Sequence, residues 1–324
     1  MNHSTFKSFT FGIGLFFTLP LVYGNSSSPS SSDGTLYINK SKTHKVAPVK
    51  YGFHYEEIGM MGEGALHAEL IRNRSFEEAT PPAGLSVKNG LYENVPAPRV
   101  KEKKVFQADP LIGWTTYPLS YTPVFISRTD ENPMSGENKY SMLVNVTEDI
   151  ANHPDALILN RGYYGMNLKT DTSYRLSLFL KNRNYSAPLR VFLVDERGQR
   201  VSNVIEVNVG NRDWTKYTGE LKPEKNVRRG MFAIQPMSKG QFQIDVVSLF
   251  PSDTWNDGKS VFRKDIVQNL KEFSPSFIRF PGGCIVHGVN EETMYHWKKT
   301  LGPIENRPGQ WSKWAPYYRT DGIG

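Results

Sequence analysis

Charged side chains follow two apolar runs of this chain, and they are the residues best placed to do chemistry. Glu56 and Glu57 come directly after the apolar run 47–55 and before the glycine-containing loop GMMGEGA. Arg279 follows the apolar run 276–278. Burying Arg279 unpaired would cost several kcal/mol, so it needs either a carboxylate or a ligand as its partner. The two glutamates either face a cleft or begin a solvated loop, and both interpretations stay open.

The elements around Arg279 are those of one unit of an α/β fold. Apolar residues recur at helical spacing over 260–273, which predicts an amphipathic helix with Ser260 as its N-cap. Residues 276–278 predict a short buried strand, and the turn 281–283, Pro-Gly-Gly, ends it. In such folds the functional side chains lie where strands end, at the carboxyl edge of the sheet.

The middle of the chain has a different pattern. From about residue 79, short alternating apolar segments recur roughly every ten residues with turns between them, which is typical of an all-β sandwich. The runs RLSLFL, LRVFLVDERGQ and WTKYTGEL favour a jelly roll of the carbohydrate-binding kind. Trp114, Tyr117, Tyr163 and Tyr164 either stack on sugar rings or fill the sandwich, and the sequence leaves both open. The predicted strands are 114–117, 123–128, 140–146, 162–168, 173–180, 189–194, 203–209, 214–221, 231–236 and 241–249.

Composition excludes several classes of function. The net charge of +7 is spread over 324 residues without a nucleic-acid-binding motif, and the seven His show no spacing that would form a metal site. No cofactor is expected, because 281–283 lacks the glycine spacing of a nucleotide-binding loop. Residues 1–24 have the charged, apolar and small-residue regions of a cleavable signal peptide, so the sequence predicts export without a membrane span after cleavage. Residues 25–34 are a low-complexity linker, and the lone Cys284 excludes an internal disulfide.

Four segments of the chain carry a resemblance to a known family. They are YGFHYEEIG at 51–59, GALHAELIRNRSFE at 64–77, FIRFPGGC at 277–284, and WKKTLGPIENRPG with WAPYYRTDGIG from 297 onward. In this order they resemble the α-L-arabinofuranosidases of glycoside hydrolase family 51. The likeness covers nearly all of the chain after the leader.

The resemblance implies a (β/α)8 TIM barrel whose first strand is 46–55 and whose second is 277–280, with the sandwich inserted in the first βα loop. The expected fold class is therefore α/β plus all-β, an incomplete barrel interrupted by a jelly roll. The expected divisions are a signal peptide at 1–24, a linker at 25–34, a first strand and loop at 35–78, a sandwich at 79–250 and the barrel continuation at 251–324.

Site residues follow from the same resemblance. Glu56 is expected to hydrogen-bond the arabinofuranose hydroxyls, and Arg279 to organise the floor of the site through pairing with acidic residues. Trp314 is expected to line the substrate-binding wall. Cys284 stands where many relatives carry Asn, a departure that leaves one polar contact of the family open.

The implied reaction is retaining hydrolysis of terminal α-L-arabinofuranosyl groups of arabinan or arabinoxylan, by two glutamates about 5 Å apart. The family carries both on later barrel strands, so no catalytic residue is expected within these 324 residues, and the chain alone is expected to be inactive. Homo-oligomerisation of the full-length protein stays open. One alternative is a non-catalytic carbohydrate-binding module, and another is a related barrel glycosidase with a different sugar specificity.

Overall fold

The computed structural model describes residues 41, 43, 45, 49, 51–58, 60–81, 86–89, 91–93, 109–288, 291, 293–312 and 318–319. The chain divides into two compact units, Met1–Ala47 and Pro48–Gly324. Only residues 41, 43 and 45 of the first unit are described. The expected signal peptide and linker, and an expected strand at 35–38, lie outside the described residues.

The second unit contains seventeen described strands, which are numbered in chain order. They are β1 (Phe53–His54), β2 (Ser86–Lys88), β3 (Leu91–Glu93), β4 (Trp114–Tyr117), β5 (Val124–Thr129), β6 (Ser141–Val146), β7 (Leu157–Asn160), β8 (Met166–Leu168), β9 (Tyr174–Asn182), β10 (Pro188–Val194), β11 (Ile205–Asn208), β12 (Thr215–Leu221), β13 (Val227–Gln235), β14 (Gly240–Pro251), β15 (Ile278–Arg279), β16 (Trp311–Ser312) and β17 (Tyr318–Arg319).

Helices are few and short. They are α1 (Lys264–Glu272), α2 (Gly283–His287), a π-helical turn (Gly62–Leu66) and three 3₁₀ turns (Ile150–Asn152, Trp297–Thr300 and Ile304–Asn306). Among the described residues, no helix combines the length and the apolar character that crossing a membrane requires.

Two antiparallel sheets form the body of the unit. One has the order β11-β10-β13-β7-β4, with β8 also paired to β13, and the other has the order β12-β9-β14-β6-β5. Alternate residues of β9 are buried, as expected for a strand with one face on a core. Buried residues of both sheets, including Leu178, Val191, Phe232 and Phe242, belong to one hydrophobic cluster, so the sheets pack face to face as a sandwich.

The segment that leads from β1 to the sandwich is fixed by a bulge in β14. The register of β14 against β9 shifts between Asp245 and Ser248, and Val246 has a φ of 41°. Within the bulge, the Val247 amide donates to the Arg74 carbonyl at 3.0 Å, and just past it the Leu249 amide donates to the Glu69 carboxylate at 2.8 Å. The sequence left 66–76 open between a short helix and an irregular segment, and most of it is irregular.

Strands β1 and β15 form a separate two-stranded parallel pair, with Phe53 opposite Ile278 and His54 opposite Arg279. The sequence predicted a buried strand here, and that prediction is wrong for the described structure, because Ile278 is 52% exposed. The physical reason is that little packs on this strand in the described structure: both residues of β15 are exposed, and no residue of α1 is buried. The predicted helix 260–273 is shorter at its start, and Arg263 rather than Ser260 occupies the N-cap position.

Candidate functional site

The candidate site lies where the parallel pair ends. The backbone ladder continues past β1, since the Tyr55 amide donates to the Arg279 carbonyl at 2.8 Å and the Glu57 amide to the Pro281 carbonyl at 2.9 Å. These bonds hold Glu56 against the turn 281–283, which follows β15. Two residues more than 220 positions apart, Glu56 and Arg279, are thereby brought to the same edge.

The two glycines of this turn make room for the charged side chains. Gly282 has a φ of 114°, and a Cβ atom on it would lie 2.3 Å from Cγ of Glu56. A Cβ atom on Gly283 would lie 3.0 Å from Nη2 of Arg279. The left-handed backbone and the absence of side chains are therefore both needed for Glu56 and Arg279 to occupy these positions.

His54 stands between the two charges. Its Nε2 lies 2.6 Å from Nη1 of Arg279 and 3.9 Å from Oε2 of Glu56. A guanidinium only donates hydrogen bonds, so the imidazole nitrogen that faces it accepts. The partner of Arg279 in the described structure is thus a histidine, where the family resemblance led us to expect acidic residues. Arg279 is also exposed, so the burial cost that we anticipated from its apolar flank does not arise.

The Glu56 carboxylate keeps its oxygens available. Its side chain is 21% exposed, and 3.9 Å is too long for a hydrogen bond to His54. Within the described ranges, no hydrogen bond reaches this carboxylate. A ligand hydroxyl could therefore donate to Glu56 and accept from the remaining N–H groups of Arg279, which is the pairing that a sugar requires.

Tyr55 connects the site to the loop that follows β1. Its hydroxyl donates to the Met61 carbonyl at 2.7 Å, and its ring centroid lies 6.1 Å from that of Phe280. Burial raises the pKa of Tyr55, and the nearby Glu57 carboxylate acts in the same direction. The tyrosine therefore stays protonated and keeps its hydrogen bond at neutral pH.

The other two expected site residues are less closely tied to this edge. Cys284 is half-buried in the first turn of α2, directly after the two glycines. Trp314 lies outside the described residues. Across the residues that the structure describes, no group of three or more His, Cys, Asp or Glu side chains could hold a metal ion.

Comparisons with known proteins agree on one family. Residues 269–324 match the family model described as the alpha-L-arabinofuranosidase 1 domain. Alpha-L-arabinofuranosidase 1 of Arabidopsis thaliana is 28% identical over 279 residues, which are 85% of this chain and 37% of the relative. A probable alpha-L-arabinofuranosidase A of Aspergillus flavus is 26% identical over 318 residues, which are 96% of this chain and 43% of the relative.

A solved structure agrees in fold as well. The arabinose-bound form of a family 51 α-L-arabinofuranosidase superposes with a TM-score of 0.70 and 25% identity over 88% of this chain and 42% of that one. The chain is thus similar to the α-L-arabinofuranosidases of glycoside hydrolase family 51. It spans about two fifths of the length of the curated relatives that it matches.

Sequence reasoning missed one residue of the edge. His54 was not singled out, although it lies two positions before Glu56 in an extended run. Residues at i and i+2 of a strand share a face, so this spacing was the available signal. It was not used because a lone histidine beside an apolar run has no characteristic pattern of its own.

Proposed function

We propose that these 324 residues are the amino-terminal part of an exported α-L-arabinofuranosidase. It would release non-reducing terminal α-L-arabinofuranosyl groups from arabinan or arabinoxylan. The observation that carries this proposal is the Glu56 carboxylate, held over Gly282 with His54 between it and Arg279, at the end of a parallel strand pair. The names of the matched relatives supply the sugar.

In this proposal each site residue has a role in holding the sugar. Glu56 accepts hydrogen bonds from arabinofuranose hydroxyls, and Arg279 donates to the ring substituents and orients the floor. Trp314 lines the wall of the site, and Cys284 takes the place where many relatives carry Asn. Hydrolysis proceeds with retention of anomeric configuration, through two glutamates whose carboxyl groups lie about 5 Å apart. Both glutamates belong to the part of the protein beyond these 324 residues.

The fold behind the proposal is an incomplete (β/α)8 barrel with an inserted jelly roll. The pair β1 and β15 would be its first two strands. Two observations support this: the strands are parallel, and α1 lies between them in the chain. The proposed divisions are 35–78 and 251–324 for the barrel and 79–250 for the sandwich. We further propose that residues 1–24 direct export, since a matched relative from Streptomyces chartreusis is named an extracellular exo-alpha-L-arabinofuranosidase.

Hydrolysis of p-nitrophenyl α-L-arabinofuranoside by the full-length protein tests the proposal. We expect Glu56→Gln and Arg279→Ala to lower kcat/KM by about 100-fold or more, because each removes a charged hydrogen-bond partner of the sugar. Glu196→Gln is the matched control, since Glu196 is exposed in the turn after β10. Unchanged hydrolysis in Glu56→Gln would refute the site assignment, and a lack of hydrolysis by the parent protein would refute the activity.

A carbohydrate-binding protein without hydrolytic activity is the second candidate. The observation that favours it is the sandwich, whose two sheets enclose their own continuous core. A binding protein would retain polysaccharide but would release no p-nitrophenol, whether the 324 residues or the full-length protein is assayed. The release of p-nitrophenol therefore distinguishes the two candidates.

A further inference from the structure

A cavity of about 690 Å³ lies away from Glu56 and Arg279, neither of which lines it. Its walls come from β8 and the turns on either side of it, from the end of β14 and the residues after it, and from the start of α1, and segment 67–70 contributes as well. The volume is in the range of about 300–1,000 Å³ that is usual for small-molecule sites. The cavity therefore has room for a short ligand.

Two adjacent tyrosines give this cavity an aromatic wall. Tyr163 is half-buried against the backbone of the π-helical turn, because a Cβ atom on Gly64 would lie 2.8 Å from its ring. Tyr164 is 82% exposed. A rigid ring that is open to water beside a cavity offers an apolar face with a polar tip, which suits the C–H face of a sugar. Of the aromatic residues that the sequence singled out, Trp114 is only 6% exposed and belongs to the sandwich core.

The charges around the cavity are of both signs. Arg263 binds the Asp265 carboxylate through two hydrogen bonds of 3.1 and 2.6 Å, so this pair is internally neutralised. Glu69, which is buried and paired with Arg74, also lines the cavity, and Lys169, Lys264 and Asp253 complete the charged lining. Two carboxylates beside two ammonium groups favour neither a polyanion nor a cation, and they supply acceptors and donors for hydroxyl groups.

We propose that this cavity is an accessory binding site for a neutral oligosaccharide, with Tyr164 as its stacking platform. The proposal rests on the proposed function, since it takes the ligand to be a stretch of the same cell-wall polysaccharide. A site here would hold the polymer while the Glu56–Arg279 edge holds a terminal sugar. The sandwich and the start of α1 both contribute to it, so the inserted domain would take part in substrate capture.

Calorimetric titration of the full-length protein tests this inference. The probe is a linear xylo-oligosaccharide of about six units, which has no terminal arabinofuranosyl group. We expect Tyr164→Ala to weaken binding of this probe about tenfold or more, through loss of the stacked ring. Asp253→Asn is a second variant, expected to weaken binding of the same probe. Tyr121→Ala is the matched control, because Tyr121 is 55% exposed but lies outside the cavity lining, and we expect it to bind as the parent does.

The outcomes separate this inference from the proposed function. Equal affinity in Tyr164→Ala and the parent, or equal weakening in Tyr121→Ala, would overturn the accessory site. Loss of probe binding in Glu56→Gln would place the ligand at the strand edge and would also overturn it. Hydrolysis of p-nitrophenyl α-L-arabinofuranoside is expected to be unchanged in Tyr164→Ala. Absent hydrolysis with intact probe binding would refute the proposed activity and leave the cavity site standing.

Discussion

Acid is expected to destabilise this protein through His67, which lies at the junction between the loop after β1 and the segment before α1. Burial lowers the pKa of His67 to about 3, and the positive charges of Arg74 and Arg307 act in the same direction. Its ring packs edge-on against Phe250 at a centroid distance of 5.2 Å, and its buried Nδ1 has no hydrogen-bond partner among the described residues. The native structure therefore holds a neutral imidazole.

The size of the effect follows from proton linkage. The unfolded chain binds a proton at His67 below a pKa of about 6.5, whereas the folded protein binds one only near 3. Between these two pH values the unfolded state carries more protons, so the unfolding free energy falls as the pH falls. The contribution of His67 is at most about 1.4 kcal/mol per pH unit, or roughly 3 kcal/mol by pH 4.

The assay is urea unfolding of the parent and His67→Phe at pH 7, 6, 5 and 4, followed by tryptophan fluorescence. Phenylalanine keeps an aromatic ring beside Phe250 and cannot titrate. We expect the difference in unfolding free energy, variant minus parent, to rise by about 1 kcal/mol for each pH unit below 6.5. The pH dependence that both proteins share from other groups cancels in this difference.

The matched control is the same substitution at His153, whose ring is partly exposed and lies 3.2 Å from Glu148. We expect this control not to reproduce the gain, because water reaches the ring. An identical pH dependence in His67→Phe and the parent would refute the reasoning, since it would mean that His67 is protonated or hydrated in the native state.

Three further substitutions test the packing that supports the site. Glu69→Ala removes the acceptor of four hydrogen bonds and leaves Arg74 buried without this carboxylate. We therefore expect the unfolding free energy, measured in urea, to fall by about 3–5 kcal/mol. Glu196→Ala, at an exposed position, should change it little. Gly282→Ala should cost about 1–3 kcal/mol through its positive φ and should also displace Glu56, whereas Gly136→Ala meets no atom within 4 Å and should be neutral in the same measurement. Phe232→Ala should cost about 3–5 kcal/mol, because the ring is fully buried between the sheets, and an unchanged denaturation midpoint would contradict the assigned core.

The strands of the sandwich show how much of the fold local sequence patterns can predict. Strand β4 was predicted with its observed bounds, and β6, β9 and β12 differ from prediction by one or two residues at an end. Each alternates between buried and exposed positions, or is bounded by turn residues, and these are local signals. Strand β7 was missed because all four of its residues, 157–160, are buried. A short strand that is covered on both faces carries no alternation.

The strand edge shows the opposite case. Arg279 was singled out from its position after an apolar run beside a glycine turn, whereas Glu56 was chosen over Glu57 only through the family resemblance. Their common location depends on a parallel pairing across more than 220 residues, and the role of His54 depends on the facing register of β1 and β15. No local pattern encodes a register between distant strands.

The sequence by itself indicated that an all-β segment interrupts an α/β pattern, that four segments resemble one family, and that charged residues follow the apolar runs at the edge. These features depend on residue type and short-range spacing, which the chain carries directly. Only the tertiary structure decided that His54 separates the charges, that Trp114 is buried while Tyr164 is exposed, and that a cavity opens between the sandwich and α1. Burial and contact arise from the packing of segments that are distant in sequence, so they become visible only when those segments are assembled.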